Sequence, residues 1–356
     1  MKRISSLVAV LLAVTLLASA CGTSAPSSEP ATSSSPAKVL PIKVATLAQI
    51  DAWPLVNAVQ DGEADRYGLQ ITDKNMMIFD SGMEAVEGIP AKAFTLADIG
   101  QLPALMAASR YKAKIVGVAA EESAANAILA RGDSPVFNEG NSAEAVRGAT
   151  VLVTSVSSAH QLLAAWLQDL GLAENDITIR TVEQQTAISA FEAGDGDFLV
   201  LWSPALYRAL DKGFKVVKTA ADLGLPSYMF YVVPENISAD ESEAVARFLA
   251  MTDGQVASYQ AGGDAIHTSV KDFFKSYAGM TISDNDVTEE INRHKLYRLD
   301  EQLALFEDGS LEKTLASLAD AQVADNKLDA EEVNLAKEKH FYLDKSFLEA
   351  AQGYVK

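Results

Sequence analysis

Residues 150–171 read TVLVTSVSSAHQLLAAWLQDLG, and this stretch decides the architecture. The β-branched run Thr150–Thr154 predicts a strand, Ser158–Leu170 predicts a helix, and Gly171 stops it. Between them lies the serine-rich turn Ser155-Val156-Ser157-Ser158. The same grammar repeats downstream. Ile177–Val182, Phe198–Trp202 and Lys215–Thr219 read as strands, with Glu183–Ala193 and Pro204–Leu210 as the helices between them. Tyr228–Val233 returns as a further strand. A helical remainder then runs over roughly 239–352, broken near Gly262-Gly263 and Gly279.

Upstream the pattern is alike. Pro41–Leu47, a segment within Leu69–Phe79, Phe94–Ile99, Ile115–Ala120 and Asn126–Arg131 read as strands. Trp53–Tyr67, Ser81–Gly88 and Gln101–Ser109 read as helices. Residues 132–148, rich in Gly, Pro, Asn and Ser, separate the two series. Strand–helix alternation predicts an α/β fold with mostly parallel sheets. The expected division is lobe 1 from 39–131 and 229–356, lobe 2 from 132–228, joined by crossings near Arg131–Val136 and Gly224–Tyr228. Such a pair of lobes would close on a solute about a hinge, and a helical C-terminal extension would follow.

Ligands of open α/β sheets sit beyond the carboxyl ends of the strands, which converts the strand pattern into candidate binding residues. Beyond the first strand lie Gln49, Asp51 and Trp53, an amide, a carboxylate able to pair with an ammonium, and an indole wall. Ser81 and Gly82 follow the second strand, Asp98 and Gly100 the third. In the second lobe the serine turn offers Ser155, Ser157, Ser158 and Ala159 as hydroxyl and helix-end N–H donors for an oxyanion, with His160 just behind them. Trp202 would form the opposite aromatic wall, whereas Trp166 in mid-helix reads as core.

The N-terminus assigns the compartment. Lys2 and Arg3 precede an apolar run, Leu7–Leu17, too short to span a bilayer. It ends in Leu-Ala-Ser-Ala before Cys21, the single cysteine of the chain. That is the pattern of a lipoprotein signal peptide over 1–20, with Cys21 as the lipid-bearing residue. Residues 21–38, mainly Ser, Thr, Pro and Ala, read as a disordered tether. A formal net charge of −19 argues against nucleic acid as a partner.

Five segments then take on meaning together: GEADRYGLQI (62–71), FDSGMEAVEGIPAKAFTLADIG (79–100), QLPALMAASRYKAKIVGVAAEES (101–123), VRGATVLVTSVSSAHQLLAAWLQDLGL (146–172) and FEAGDGDFLVLWSP (191–204). In this order, over Pro41 to about Pro234, the chain resembles the nitrate/sulfonate/taurine-binding proteins of ABC importers, a branch of the type II periplasmic binding proteins. The resemblance implies two lobes, a hinge and one small polar solute between them, delivered to a permease and an ATPase; with the N-terminal pattern, an extracytoplasmic, lipid-anchored monomer is expected. It carries ligand roles onto Ser81, Gly82, Asp98, Gly100, Ser155–Ala159 and Trp202; Gln49, Asp51 and Trp53 match in place more than in type. The family's usual lysine or proline near Ser155-Val156 is missing. An acid facing a serine cradle favours a zwitterion, such as taurine or an amino acid, over nitrate.

The alternative is an enzyme on the same fold acting on a pyrimidine or chorismate-type metabolite. Against it, the four histidines are scattered, and no HExxH, GxSxG or paired Cys/His metal motif is present. No cofactor and no metal are expected, and the same absences weigh against a metal- or haem-binding lipoprotein.

Overall fold

The computed structural model describes residues 38–355 apart from Asp73, Glu139, Gly140 and Asp325. The signal peptide, Cys21 and the tether lie outside the described residues.

Two mixed sheets carry the fold. The first contains β1 (Val44–Leu47), β2 (Met76–Phe79), β3 (Leu96–Gly100) and β4 (Lys114–Glu121). The second contains β5 (Asn126–Ala130), β6 (Thr150–Val153), β7 (Thr178–Thr181), β8 (Phe198–Trp202) and β9 (Lys215–Thr219). The chain then returns to the first sheet as β10 (Tyr228–Val233) and β11 (Lys295–Leu296). The six-stranded sheet runs β11-β4-β10-β3-β1-β2 and the five-stranded one β9-β5-β8-β6-β7.

The sheets are less parallel than the alternation suggests. β1 is parallel to β2 and β3, but β10 is antiparallel to both neighbours, β3 and β4. The cause is topological: β4 leaves for the second lobe and β10 comes back beside it, so the pair must point in opposite directions. β5 is likewise antiparallel to β8 and β9.

The outgoing crossing is also displaced from its expected place. Asn126–Ala130 pairs with β8 and β9 and so belongs to the second lobe. The chain therefore crosses at 121–126, not at Arg131–Val136. Arg131 sits at the far end of β5, where its guanidinium binds the carbonyls of Gly196 and Phe191. The two crossings are stitched side by side: Glu122 N–H donates to Ser227 O at 2.9 Å, and Ser227 N–H donates to Glu121 Oε1 at 3.2 Å.

Each sheet is covered on both faces, as apolar strands require. One face of the first sheet packs Val44, Leu96, Val116 and Tyr231 against the long helix Ala239–Ala261 through Phe248, Leu249 and Met251. The other packs Ala45, Ile99, Val118 and Phe230 against helix Gln101–Tyr111 and the C-terminal helices, through Leu311, Leu315 and Leu318. The second sheet has two smaller cores, one centred on Trp166 and Phe198 and one on Phe191 and Leu201. The C-terminal extension thus completes the core of the first lobe. Among the described residues no helix is long and apolar enough to cross a membrane.

Candidate functional site

The strand ends of both sheets converge on one cleft. Its inner part is a cavity of about 20 Å³ lined by Leu47, Gln49, Ser81, Gly82, Gly100, Pro103, Glu122, Val156, Ser157, Ser158, Trp202 and Met229. It opens onto a mouth of about 500 Å³ that shares Leu47, Gln49 and Trp202 and adds Asp80, Glu183, Gln184 and Arg208 among others. The inner volume has room for about one water. Admission of an organic solute therefore requires the lobes to part about the crossings at 121–126 and 220–227.

Gly82 is a steric requirement of this site. A Cβ there would stand 2.8 Å from Pro103 Cγ, so only glycine lets the turn after β2 press onto the helix after β3. Ser157 caps helix Ser158–Asp169: its Oγ accepts from His160 N–H at 3.2 Å and donates to Thr154 O at 2.6 Å. Ser158 Oγ donates to Asn126 Oδ1 at 2.8 Å. Asn126 in turn donates to Glu122 Oε1 at 3.2 Å. A hydrogen-bond relay therefore runs from the serine turn of the second lobe into the hinge.

Of the residues expected from the sequence, Gln49, Ser81, Gly82, Gly100, Ser157, Ser158 and Trp202 line the cavity. The others do not. Trp53 is 1 % exposed and packs on Tyr259 inside the first lobe, its Nε1–H donating to Ser269 Oγ at 3.1 Å. It begins a helix whose buried face is directed at Ala239–Ala261, so the indole turns inward. Asp51 and Asp98 are buried beneath the cleft and lie outside its lining. They hydrogen-bond to each other. Burial raises both; Asp51 is pushed up to about 7, and Asp98, facing the Asp51 charge as well, is raised further above the carboxylate range. Burial disfavours the charged forms of both, and neither carboxyl lines the cavity where an ammonium would sit. Ala159 is core, Ser155 is half-buried off the cavity, and His160 faces away, with Nε2 3.1 Å from Glu174 Oε1.

Sequence reasoning missed Glu122, the one ionisable side chain lining the inner cavity among the described residues. Glu122 is 2 % exposed. Its Oε2 accepts from Gln49 Nε2 at 3.2 Å, and its Oε1 from Asn126 Nδ2 at 3.2 Å and Ser227 Oγ at 3.3 Å. Burial raises its pKa, while His294, Asn126 and Ser227 hold the rise back. The strand-end rule would have found it had 121–126 been recognised as a crossing.

One further constellation invites an enzymatic reading. Ser203 Oγ lies 3.1 Å from His294 Nε2 and donates to Glu290 Oε1 at 3.1 Å. Its hydroxyl is no nucleophile: Ser203 is 0 % exposed and lines neither the cavity nor the mouth. The contact ties the turn after β8 to helix Asp284–Arg293 of the first lobe. Among the described residues no group of His, Cys, Asp and Glu is arranged to hold a metal ion.

A protein-family profile described as "ABC transporter, phosphonate, periplasmic substrate-binding protein" matches residues 75–272, more than half of the chain. The chain belongs to this family. It is a solute-binding, non-enzymatic component of an ABC importer, an extracytoplasmic receptor that works with a permease and an ATPase. Among relatives, the taurine-binding periplasmic protein of Escherichia coli (strain K12) is 26 % identical over 174 residues, which is 48 % of this chain and 52 % of that one. The alkanesulfonate-binding protein SsuA from Xanthomonas axonopodis pv. citri, solved bound to MOPS, superposes with a TM-score of 0.66 at 19 % identity, over 82 % of this chain and 96 % of that one. The nitrate-binding protein NrtA from Synechocystis PCC 6803 gives 0.67 at 12 % identity, over 88 % and 89 %. At these identities the structural likeness establishes the type II periplasmic binding protein fold of this receptor.

Proposed function

We propose that this receptor captures a small organic oxyanion of the sulfonate or phosphonate type between its lobes and is held at the membrane surface by a lipid on Cys21. The observation that carries the reading is convergence. Gln49, Ser81, Gly82 and Gly100 from the first lobe meet Ser157, Ser158 and Trp202 from the second around one cavity. The relatives named above bind taurine, alkanesulfonates and nitrate, and the family profile names phosphonate. All are compact oxyanions. Hydroxyls and the N-terminus of helix Ser158–Asp169 suit such a group without a full positive charge, and Trp202 supplies an apolar wall for a short carbon chain.

The test is a thermal-shift and calorimetric screen of sulfonates, phosphonates, amino acids and nitrate. One class should bind with one-to-one stoichiometry and be recovered unchanged. Trp202→Ala and Ser158→Ala should each weaken that binding at least tenfold while leaving the melting temperature of the solute-free protein within a few degrees. Normal binding by both variants would remove the cleft from consideration. For the anchor, Cys21→Ala should release the mature protein from the membrane fraction; continued membrane retention would refute it.

A further inference from the structure

We infer that the solute of this cleft carries an ammonium group, received by Glu122, so that the receptor selects amino-substituted oxyanions and rejects the plain anions that several of its relatives are named for. The inference deepens the reading above and rests on it.

The charge inventory of the cleft is the starting point. The inner cavity is lined by one ionisable side chain, the Glu122 carboxylate, and by no Lys or Arg among the described residues. The mouth adds Asp80 and Glu183 and a single arginine, Arg208, whose guanidinium is engaged by Gln185 Oε1. Glu183 feels both Asp80 and Glu84 from the opposite lobe, and its pKa is raised, first by burial and then by those two charges. Carboxylates thus face one another across the opening. A bare anion entering this cleft would meet net negative potential at the mouth and again at the floor, where the low dielectric makes the penalty larger.

Glu122 is built as a receiver. A carboxylate offers about four lone-pair positions. Oε1 is held by two donors, Asn126 and Ser227, whereas Oε2 takes one, from Gln49, which itself lines the cavity. All three donors are neutral and stand at 3.2–3.3 Å. They orient the group without neutralising it.

The internal countercharge is insufficient. His294 is the basic side chain acting on Glu122, and it acts also on Asp51. It also lies beside Glu290, with Nδ1 at 3.7 Å from Glu290 Oε2. One imidazole is therefore shared among several buried carboxyl groups. An ammonium on the solute supplies what the fold lacks. The oxyanion end of the same molecule then falls to the serine turn on the opposite side of the cavity, and closure of the lobes joins the two halves of the recognition.

The experiment uses matched probes that differ by the amine: taurine against ethanesulfonate, 2-aminoethylphosphonate against ethylphosphonate, and β-alanine against propionate, titrated by calorimetry into the mature protein and into Glu122→Gln. Glutamine preserves size and hydrogen bonding, and Ser158→Ala serves as a charge-neutral cleft variant. In the native protein at least one amino member should bind at least tenfold tighter than its partner. Glu122→Gln should abolish that ratio chiefly by weakening the amino member, whereas Ser158→Ala should weaken binding and keep the ratio. Equal binding of both members by the native protein, or a ratio unchanged in Glu122→Gln, overturns the inference and leaves the proposed function standing. Binding of neither member in any pair overturns both.

Discussion

Two tryptophans follow strands of opposite lobes, and they end in opposite environments. Trp202 stands at the end of β8 and lines both the inner cavity and its mouth. Trp53, six residues past the end of β1, is locked in the first lobe against Tyr259 and Ser269. A strand end determines where a turn lies. It does not determine which way the next side chain faces, because that depends on how quickly a helix begins. After β8 the indole is still on the strand, whereas after β1 a short 3-10 turn over Ile50–Ala52 rotates the chain before Trp53 opens helix Trp53–Gln60. Alanine at the two positions separates the roles. Trp53→Ala should lower stability by about 3–5 kcal/mol, the usual cost of emptying a buried aromatic site, with solute affinity per folded molecule unchanged. Urea unfolding and calorimetry measure the two quantities; lost affinity in a fully folded Trp53→Ala protein would return that indole to the cleft.

The carboxylates beside these turns divide in the same way. Glu122 is oriented by three neutral donors and faces a cavity. Asp51 and Asp98 face each other, and one oxygen of each has no protein donor. Both pKa values are raised in the fold, first by burial. The folded protein therefore keeps protons that the unfolded chain gives up above pH 4, and this contribution to stability falls as pH rises from about 4 through 7 and beyond. Asp98→Asn keeps a donor for Asp51 without needing a proton. It should flatten that slope, gaining on the native protein at pH 8 by an amount on the order of 1–2 kcal/mol and by little at pH 5. Parallel stability curves would mean that the pair is ionised and compensated by other groups.

These contrasts show how much the sequence made legible. The strand–helix alternation, the glycine stops and the serine-rich turn before helix Ser158–Asp169 are local signals, and the two-lobed α/β fold follows from them. Ser157, Ser158 and Trp202 were legible because each is on a strand end or the first turn of a helix. Glu122 was hidden because Ile115–Ala120 and the apolar run Ala127–Ala130 are separated by a short turn, and both read as strands of lobe 1. The pairing of Asn126–Ala130 with β8 and β9 is a long-range choice that no local pattern records. The inward turn of Trp53 likewise depends on Tyr259 and Ser269, which lie about two hundred residues away in sequence.

The smallest expected effect concerns what holds the Trp202 lobe over the Trp53 lobe. Lys327 follows helix Ser310–Ala324 of the C-terminal extension, which packs on the first lobe. Its Nζ donates to Glu174 of the second lobe at 2.6 Å and stands 3.3 Å from His160 Nε2. His160 Nδ1 accepts from Val156 N–H at 3.3 Å, so the bridge reaches back to the serine turn of the cleft. Observed affinity is the product of intrinsic binding and the closure equilibrium, and an ion pair made across the closing lobes adds to the second factor. The partners are a quarter to a third exposed, so the contribution is about 0.5–1 kcal/mol. Lys327→Ala should weaken solute binding by about two- to fivefold, through faster dissociation at unchanged association rate, and the difference should shrink in high salt. Lys345, which pairs with Glu307 at 2.8 Å wholly within the first lobe, is the control: Lys345→Ala should leave both rates alone. Equal dissociation rates for the native protein and Lys327→Ala would reduce the bridge to a static surface contact. A matching effect in both lysine variants would assign the change to overall charge, since only the Lys327 pair spans the two lobes.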